Sequence, residues 1–361
     1  MKITTHSLAS DTAAVTADDM RATRRSLFDR FPGLWIGLIL IITMAVFTAS
    51  VPNLRFTNLA NLTNIAQDSS EVLIMAVATT LILIAGGIDL SIGSVLVLSS
   101  VAAALVMGAL SGTHAQVSNF QYPDEGIAIP VGILSGIMVG TLVGFANGLL
   151  IAYLRLPAFI VTLGISGVAL GAALVITNGE NTPYVPPDFQ RAVGVQRIVG
   201  FIPVPVLLAF VLAGVGWVVL ARTRFGIYTY AIGANAQASR RAGVNVKRHL
   251  LILYTVSGLS AGIAGLVDVG RFDTTSIEGH QADNLQAIAA VVLGGTSLFG
   301  GSGGLGGTVI AVFFPSVLYN GFIQLGLQPF WQGIVIGVVL IAAVYFDALR
   351  RSRRSAGGRE D

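Results

Sequence analysis

The sequence predicts an all-α, polytopic integral membrane protein with about ten transmembrane helices and two glycine-broken repeat segments. Three observations carry that prediction. Of 361 residues, 54% are hydrophobic and only 11% are charged, against about 25% charged in ordinary soluble domains. The mean hydropathy is +0.78. The apolar residues fall in runs near the roughly 20 residues that a helix needs to cross a bilayer. The third observation is a stretch that recurs. Gly86, Gly87, Leu90, Gly93 and Ser94 reappear 208 positions later as Gly294, Gly295, Leu298, Gly301 and Ser302, each set between apolar runs.

Taken in order, residues 1–33 are polar and then basic, which predicts a disordered cytoplasmic tail rather than a signal peptide, since no small-residue cleavage site follows the first apolar run. Spans are predicted at 34–50, 68–85, 90–110, 127–152, 157–177, 203–221, 249–270, 286–300, 304–327 and 329–347, making 34–347 the membrane domain and 348–361 a basic cytoplasmic tail. The eighth span is short and ends in glycine. The polar stretches 111–126 and 178–202, rich in Asn, Gln, Asp and Pro, read as external loops. With both termini inside, 17 of the 21 Lys and Arg residues fall on the cytoplasmic side and only Arg55, Arg191, Arg197 and Arg271 outside, the asymmetry that orients membrane proteins. The excess of basic residues therefore follows topology and does not point to nucleic acid.

The segment Leu81–Ser94 organises the chain. Gly86-Gly87 weakens the helix that precedes it. Backbone groups freed by the break cannot face lipid, so the break is buried in protein or lines a water-filled path. Asp89 lies within it, and an ionisable residue at membrane depth points to function; the simpler reading makes it an N-cap of the following helix. Broken segments at corresponding places in two halves point to a translocation region. Chance resemblance between glycine-rich helices is the plainer alternative.

The largest inner loop holds Arg222, Arg224, Arg240, Arg241, Lys247 and Arg248. Residues 234–242 permit a helix that Gly243 could end. Charge alone favours a positive-inside anchor over a docking element. Asp268 and Arg271, one turn apart, predict a local pair. Asp273, Glu278 and Asp283 read as a solvated external loop or a partner contact, and Trp35, Trp217 and Trp331 as interfacial residues. There is no cysteine, and His6, His114, His249 and His280 show no metal-ligand spacing, so no metal site is expected. The two lysines, Lys2 and Lys247, lie in no phosphate-binding loop, and no hydrolase elbow or zinc-protease motif occurs. Nothing marks an enzyme.

Three runs resemble one family. Gly86-Gly87-Ile88-Asp89-Leu90-Ser91-Ile92-Gly93-Ser94, then Ala287 through Leu298, then Arg224-Phe225-Gly226 with Ala242-Gly243-Val244-Asn245, are similar to the ribose-type sugar ABC permeases over roughly residues 50–347. The resemblance implies a pentose or hexose importer subunit with no cofactor of its own. It implies a second permease copy or related permease, a separate ATPase that uses the ATP, and a periplasmic sugar-binding protein. It places Gly86, Gly87, Asp89, Ser91, Ser94, Gly294, Gly295, Thr296 and Ser297 along the sugar path, and makes Asn235, Ala238, Arg240, Arg241 and Gly243 the ATPase dock in place of the plain anchor. The chain departs from the family at Asn284-Leu285-Gln286, where Glu-Leu-Asp is usual, and at Asn235-Ala236-Gln237-Ala238, where Asn-Glu-Ala-Ala is usual. The rival reading is an ion-coupled secondary transporter, for which Asp89, Asp68, Glu71 and Asp268 are the available membrane carboxylates.

Overall fold

Uncharged runs of Leu, Ile, Val and Ala satisfy their backbone groups only by coiling when no water is at hand, and the computed structural model is accordingly built of helices. It describes residues 33–357 except 184, 199, 281 and 329, and not the side chains of 33, 34, 53 and 346–357. The predicted N-terminal tail thus lies outside the described residues. The elements are α1 (Gly33–Ser50), α2 (Leu59–Ile84), α3 (Ile92–Leu110), α4 (His114–Ser118), α5 (Glu125–Ala152), α6 (Ala158–Thr177) and α7 (Pro187–Gln190). A two-stranded antiparallel hairpin follows, β1 (Arg197–Ile198) with β2 (Ile202–Pro203). Then come α8 (Val204–Arg222), α9 (Arg224–Arg241), α10 (Val246–Phe272), α11 (Asp283–Leu293), α12 (Leu305–Ala311), α13 (Phe313–Gln324) and α14 (Trp331–Gly357).

Seven segments are long and apolar enough to cross a membrane, namely α2, α3, α5, α6, α8, α10 and the run α12–α13, and α1, α11 and α14 are shorter apolar helices. Each predicted span therefore has a helix, with changed limits. The second begins at Leu59, not 68, because the Asn58 side chain accepts from the Ala60 amide at 3.2 Å and starts the helix early. The eighth is only 11 residues, about 16 Å at 1.5 Å per residue, so α11 alone is about half the length of a crossing. The last helix runs to Gly357, past the expected end at 347.

Loops sort to two ends. At one, Thr182 and Thr275 are joined by a 2.9 Å bond, and Gln67 of α2 donates to the Gly194 carbonyl at 3.3 Å. At the other, Lys247 at the start of α10 lies over the Tyr153 ring, 5.5 Å from its centre. The first end carries 178–203 and 273–282, the second α9 and the 153–157 turn.

The tightest helix pair is α5 against α10. Gly132, Gly136, Gly140, Gly144 and Gly148 recur every fourth residue and are buried, the small-residue spacing that lets membrane helices touch backbone to backbone. A Cβ at Gly140 would sit 2.9 Å from Gly262 Cα, and one at Gly144 2.8 Å from Gly258 Cα. Outward faces carry Leu134, Ile160, Val175 and Ile341, each more than 60% exposed, as lipid or a second subunit requires.

Gly144→Leu should push α5 off α10 and abolish the monodisperse folded species in detergent, since overpacking a rigid contact typically costs about 1–3 kcal/mol or more. Gly126→Ala, where an added Cβ meets nothing within 4 Å, should melt at or above the parent temperature. Size-exclusion melting curves of both variants check this.

Candidate functional site

Both glycine breaks end their helices in the same way. After α2, the Gly86 amide donates to Leu83 O and the Gly87 amide to Ile82 O, both at 2.9 Å. After α11, the Gly295 amide donates to Val292 O at 2.9 Å and the Thr296 amide to Val291 O at 3.1 Å. This is the Schellman pattern, which needs a left-handed residue just past the helix; Gly86 has φ +78° and Gly295 φ +93°. The residue identities pair Gly86 with Gly294, whereas the backbone pairs Gly86 with Gly295, one position on.

The two breaks touch. The Gly301 amide donates to Ile84 O at 2.8 Å, and a Cβ on Gly300 would lie 2.9 Å from Gly86 Cα. Helix α9 closes on the same point. A Cβ on Gly301 would lie 3.0 Å from Ala234 Cα, and one on Gly233 would strike the Ile84 carbonyl. The Tyr230 hydroxyl donates to Gly303 O at 2.8 Å, and burial pushes that phenol up, so it stays protonated.

Asp89 is 2% exposed and fully engaged. One oxygen accepts from the Ser91 amide at 2.9 Å and the Ser91 hydroxyl at 2.6 Å, and the other from Ser257 of α10 at 2.7 Å. Asn147 of α5 donates to the Ser91 hydroxyl at 2.8 Å, and Tyr254 donates to Ile88 O at 3.2 Å. Asp89 thus ties the start of α3 to α10 and, through Ser91, to α5, but it is not the expected N-cap: that position is Ser91, whose side chain makes no cap bond. A Cβ on Gly87 would sit 2.7 Å from the Tyr254 hydroxyl. Ser94 stands apart, 2.7 Å from Ser166 of α6.

In the second break Thr296 is buried and accepts from the Gly304 amide at 3.3 Å. The Ser297 amide donates to Ser302 O at 3.1 Å, and a Cβ on Gly294 would collide with the Thr308 amide of α12. Asn284 donates to Leu90 O at 3.0 Å, a bond that an ionised carboxylate could not make.

Helix α9 kinks at Asn235 (φ −161°, ψ 98°), whose side-chain oxygen accepts from the Ala238 amide at 2.9 Å and so starts a second short helix. That helix ends in another Schellman turn at Gly243, φ +87°; its amide donates to Arg240 O at 3.1 Å and that of Val244 to Ser239 O at 3.0 Å. Asn235, Ala238, Arg240, Arg241 and Gly243 are all exposed, with only Ser239 buried between them. The structure therefore brings the docking set to one surface and joins it through Gly233 and Ala234 to both breaks. Asn147, Ser257, Tyr254 and Gly233 were not singled out from sequence. The regular glycine spacing on α5 could have directed attention to Asn147, which precedes Gly148.

The expected Asp268–Arg271 pair does not form. Arg271 reaches across to α2, where it pairs with Asp68 and, at 3.4 Å, with Glu71. Asp268 faces His280 instead, at 3.0 Å. Asp283 is likewise not a solvated loop residue, being 9% exposed and 2.6 Å from the other nitrogen of His280.

The family described as branched-chain amino acid transport system, permease component, matches residues 61–344. The ribose import permease of Escherichia coli K12 is 36% identical over 313 residues, covering 86% of this chain and 92% of its own. The chain belongs to the sugar ABC transporter permeases. The fructose import permease of Rhizobium meliloti is 33% identical over 318 residues, covering 86% of this chain and 83% of its own. The galactose/methyl galactoside import permease of Haemophilus influenzae is 32% identical over 338 residues, covering 91% and 97%. No solved structure matches the chain. Permeases of this kind are multi-pass membrane subunits that work with an ATPase and a solute-binding protein, and the chain is such a transport subunit.

Asp89→Ala removes the acceptor for three donors and should lower stability by roughly 2–4 kcal/mol, as expected for buried donors left unpaired. Asp89→Asn keeps an acceptor oxygen and should lose clearly less. Thermal melts of the two variants in detergent would contradict the pinning role if they coincided with the parent.

Proposed function

We propose that the chain imports a monosaccharide, a pentose or hexose, across the inner membrane as one of two permease copies, with a separate ATPase on the cytoplasmic side and a sugar-binding protein on the periplasmic side. The observation that carries this is the junction of α9 with the two breaks. An exposed, capped helix bearing Arg240 and Arg241 touches, two residues upstream of its kink, the backbone of both broken segments. A push on that helix from the ATPase reaches the path without passing through compliant side chains. The sugar path runs along Gly86, Gly87, Asp89, Ser91, Ser94 and Gly294 to Ser297 where two copies meet. A neutral sugar needs hydroxyl-competent donors and acceptors rather than a counter-charge, which suits Ser94, Thr296 and Ser297. Asp89 acts through Ser91 and Ser257 and holds the break rather than binding sugar in this conformation. The permease needs no cofactor; ATP is used by its partner. Both termini and α9 lie in the cytoplasm, because the end bearing α9 has six of the basic residues between 222 and 248. The names of the relatives above favour sugar as cargo, ribose, fructose and galactose among them.

Reconstituted with its ATPase and binding protein, the permease should take up labelled sugar only with ATP and lose uptake when the Walker lysine of the ATPase is replaced. Uptake that survived this and collapsed with an uncoupler would return the chain to ion-coupled transport. Arg240→Glu with Arg241→Glu should abolish ATPase co-purification and uptake while leaving insertion intact, through charge reversal at the contact. Gly243→Pro should do the same, since proline cannot take positive φ. Reporter fusions at residues 190 and 355 should read outside and inside respectively; the opposite pattern would reverse the orientation.

A further inference from the structure

Four carboxylates, one guanidinium and one imidazole meet where α2, α10 and the irregular segment 273–282 come together, and sugar transport as set out above uses none of them. Arg271 is held by Asp68 and reaches Glu71 at 3.4 Å. His280 is gripped from both sides, Nδ1 lying 2.6 Å from Asp283 and Nε2 lying 3.0 Å from Asp268 Oδ1. Asp268 is fully buried, yet among the described residues neither of its oxygens has a hydrogen-bond partner, and His280 Nε2 has none either, its approach to Asp268 being close but out of line.

That arrangement is unbalanced. If Arg271 is set against Asp68, then three carboxylates, Glu71, Asp268 and Asp283, crowd a single imidazole. A buried carboxylate without a hydrogen bond is unfavourable. The imidazole also has the orientation that metal sites use: a carboxylate holds the proton on one ring nitrogen and turns the lone pair of the other outward. Here Asp283 stands 2.6 Å from Nδ1, and Nε2 lies on the side of Asp268, 3.0 Å away. One ligand atom from each of Glu71, Asp268 and His280 lies within 4.8 Å of the other two. Around a tetrahedral ion with bonds of about 2.1 Å, ligand atoms stand about 3.4 Å apart, so the widest pair would close by up to about 1.4 Å through side-chain rotation on binding. One imidazole with two carboxylates suits Zn²⁺ or Mn²⁺, whereas Mg²⁺ and Ca²⁺ favour oxygen alone.

We propose that Glu71, Asp268 and His280 bind one divalent transition-metal ion, with Asp283 positioning the imidazole. The ion fastens the segment 273–282 to α2 and α10. That segment links α10 to α11, so the ion holds an irregular connection in place. The site is independent of the cargo, and its test does not depend on uptake.

The full-length permease, carrying a tag without histidine, is purified in detergent, stripped with a chelator, exposed separately to Zn²⁺ and Mn²⁺, and passed over a desalting column. Metal analysis should then find about one ion per chain, and the melting temperature should rise with metal concentration as for any ligand of the folded state. Asp268→Asn and Glu71→Gln should each lose the ion, Asp283→Asn should weaken binding by about 10–100-fold, and His114→Ala should keep it. A parent protein that retains no stoichiometric metal overturns the proposal and leaves His280 as a doubly protonated bridge between Asp268 and Asp283. Retention undiminished in both Asp268→Asn and Glu71→Gln places the metal elsewhere and overturns it equally. If Asp268→Asn fails to fold, the parent measurement and Glu71→Gln still decide.

Discussion

The membrane allows no backbone donor or acceptor to go unpaired toward lipid, and most of this architecture follows from how two broken helices meet that constraint. Each break closes its own last turn with a left-handed glycine, Gly86 or Gly295. What remains is satisfied across the pair. The Gly301 amide of the second break pairs with the Ile84 carbonyl, the last residue of α2. Side chains at Gly86, Gly233, Gly300 or Gly301 would hold these backbones apart. The glycines are there because three strands of main chain occupy the space in which ordinarily one main chain and two side chains would sit.

Close approach has a mechanical consequence. Packed interiors do not deform continuously; they move between discrete arrangements. At the breaks, backbone touches backbone, and α5 and α10 touch in the same way along Gly140, Gly144, Gly258 and Gly262. A displacement of α9 therefore has little side chain to be absorbed by, and the broken segments must follow it nearly as a rigid unit. The Schellman turn at Gly243 and the Asn235 cap keep the second half of α9 short and stiff.

Most of the fold was legible in the sequence, because apolar length and the absence of charge are strong signals in a chain that must satisfy its backbone internally. The limits were less so. Asn58 starts α2 nine residues before the apolar pattern does, since a cap acts locally and a hydropathy window averages it away. Helix α11 looked like a short span because Ala287 to Leu293 is apolar, but its charged start, Asp283, is buried by His280 rather than held at a surface. The breaks were readable from glycine spacing, and their one-residue offset was not, because identity of residues does not fix which glycine takes positive φ. Asp89 was visible as a lone carboxylate, but its partners Ser257 and Asn147 lie on helices far along the chain. Arg271 shows the limit most clearly: the residue one turn away lost to Asp68 and Glu71, some 200 positions earlier in the chain. Sequence proximity ranks local pairs first, and tertiary packing is free to choose otherwise.

Asn284 ties these features together. Its amide donates to the Leu90 carbonyl, and the His280 carbonyl packs where a Cβ on Gly93 would approach to 3.0 Å. The start of α3 is thus held from two directions, by Asp89 through Ser257 of α10 and by the first turn of α11, which follows the 273–282 segment, through Asn284. An ionised glutamate at 284 would offer no donor to Leu90, and that second hold would have to be made by other means. With both holds in place, α3 can shift only if α10 and the 273–282 segment shift with it. The same segment carries His280 and leads into Asp283, so whatever neutralises Asp268 also sets how firmly the first break is anchored. Two features that look separate, a buried charge cluster and a broken helix, are therefore one mechanical unit joined at Asn284 and Gly93.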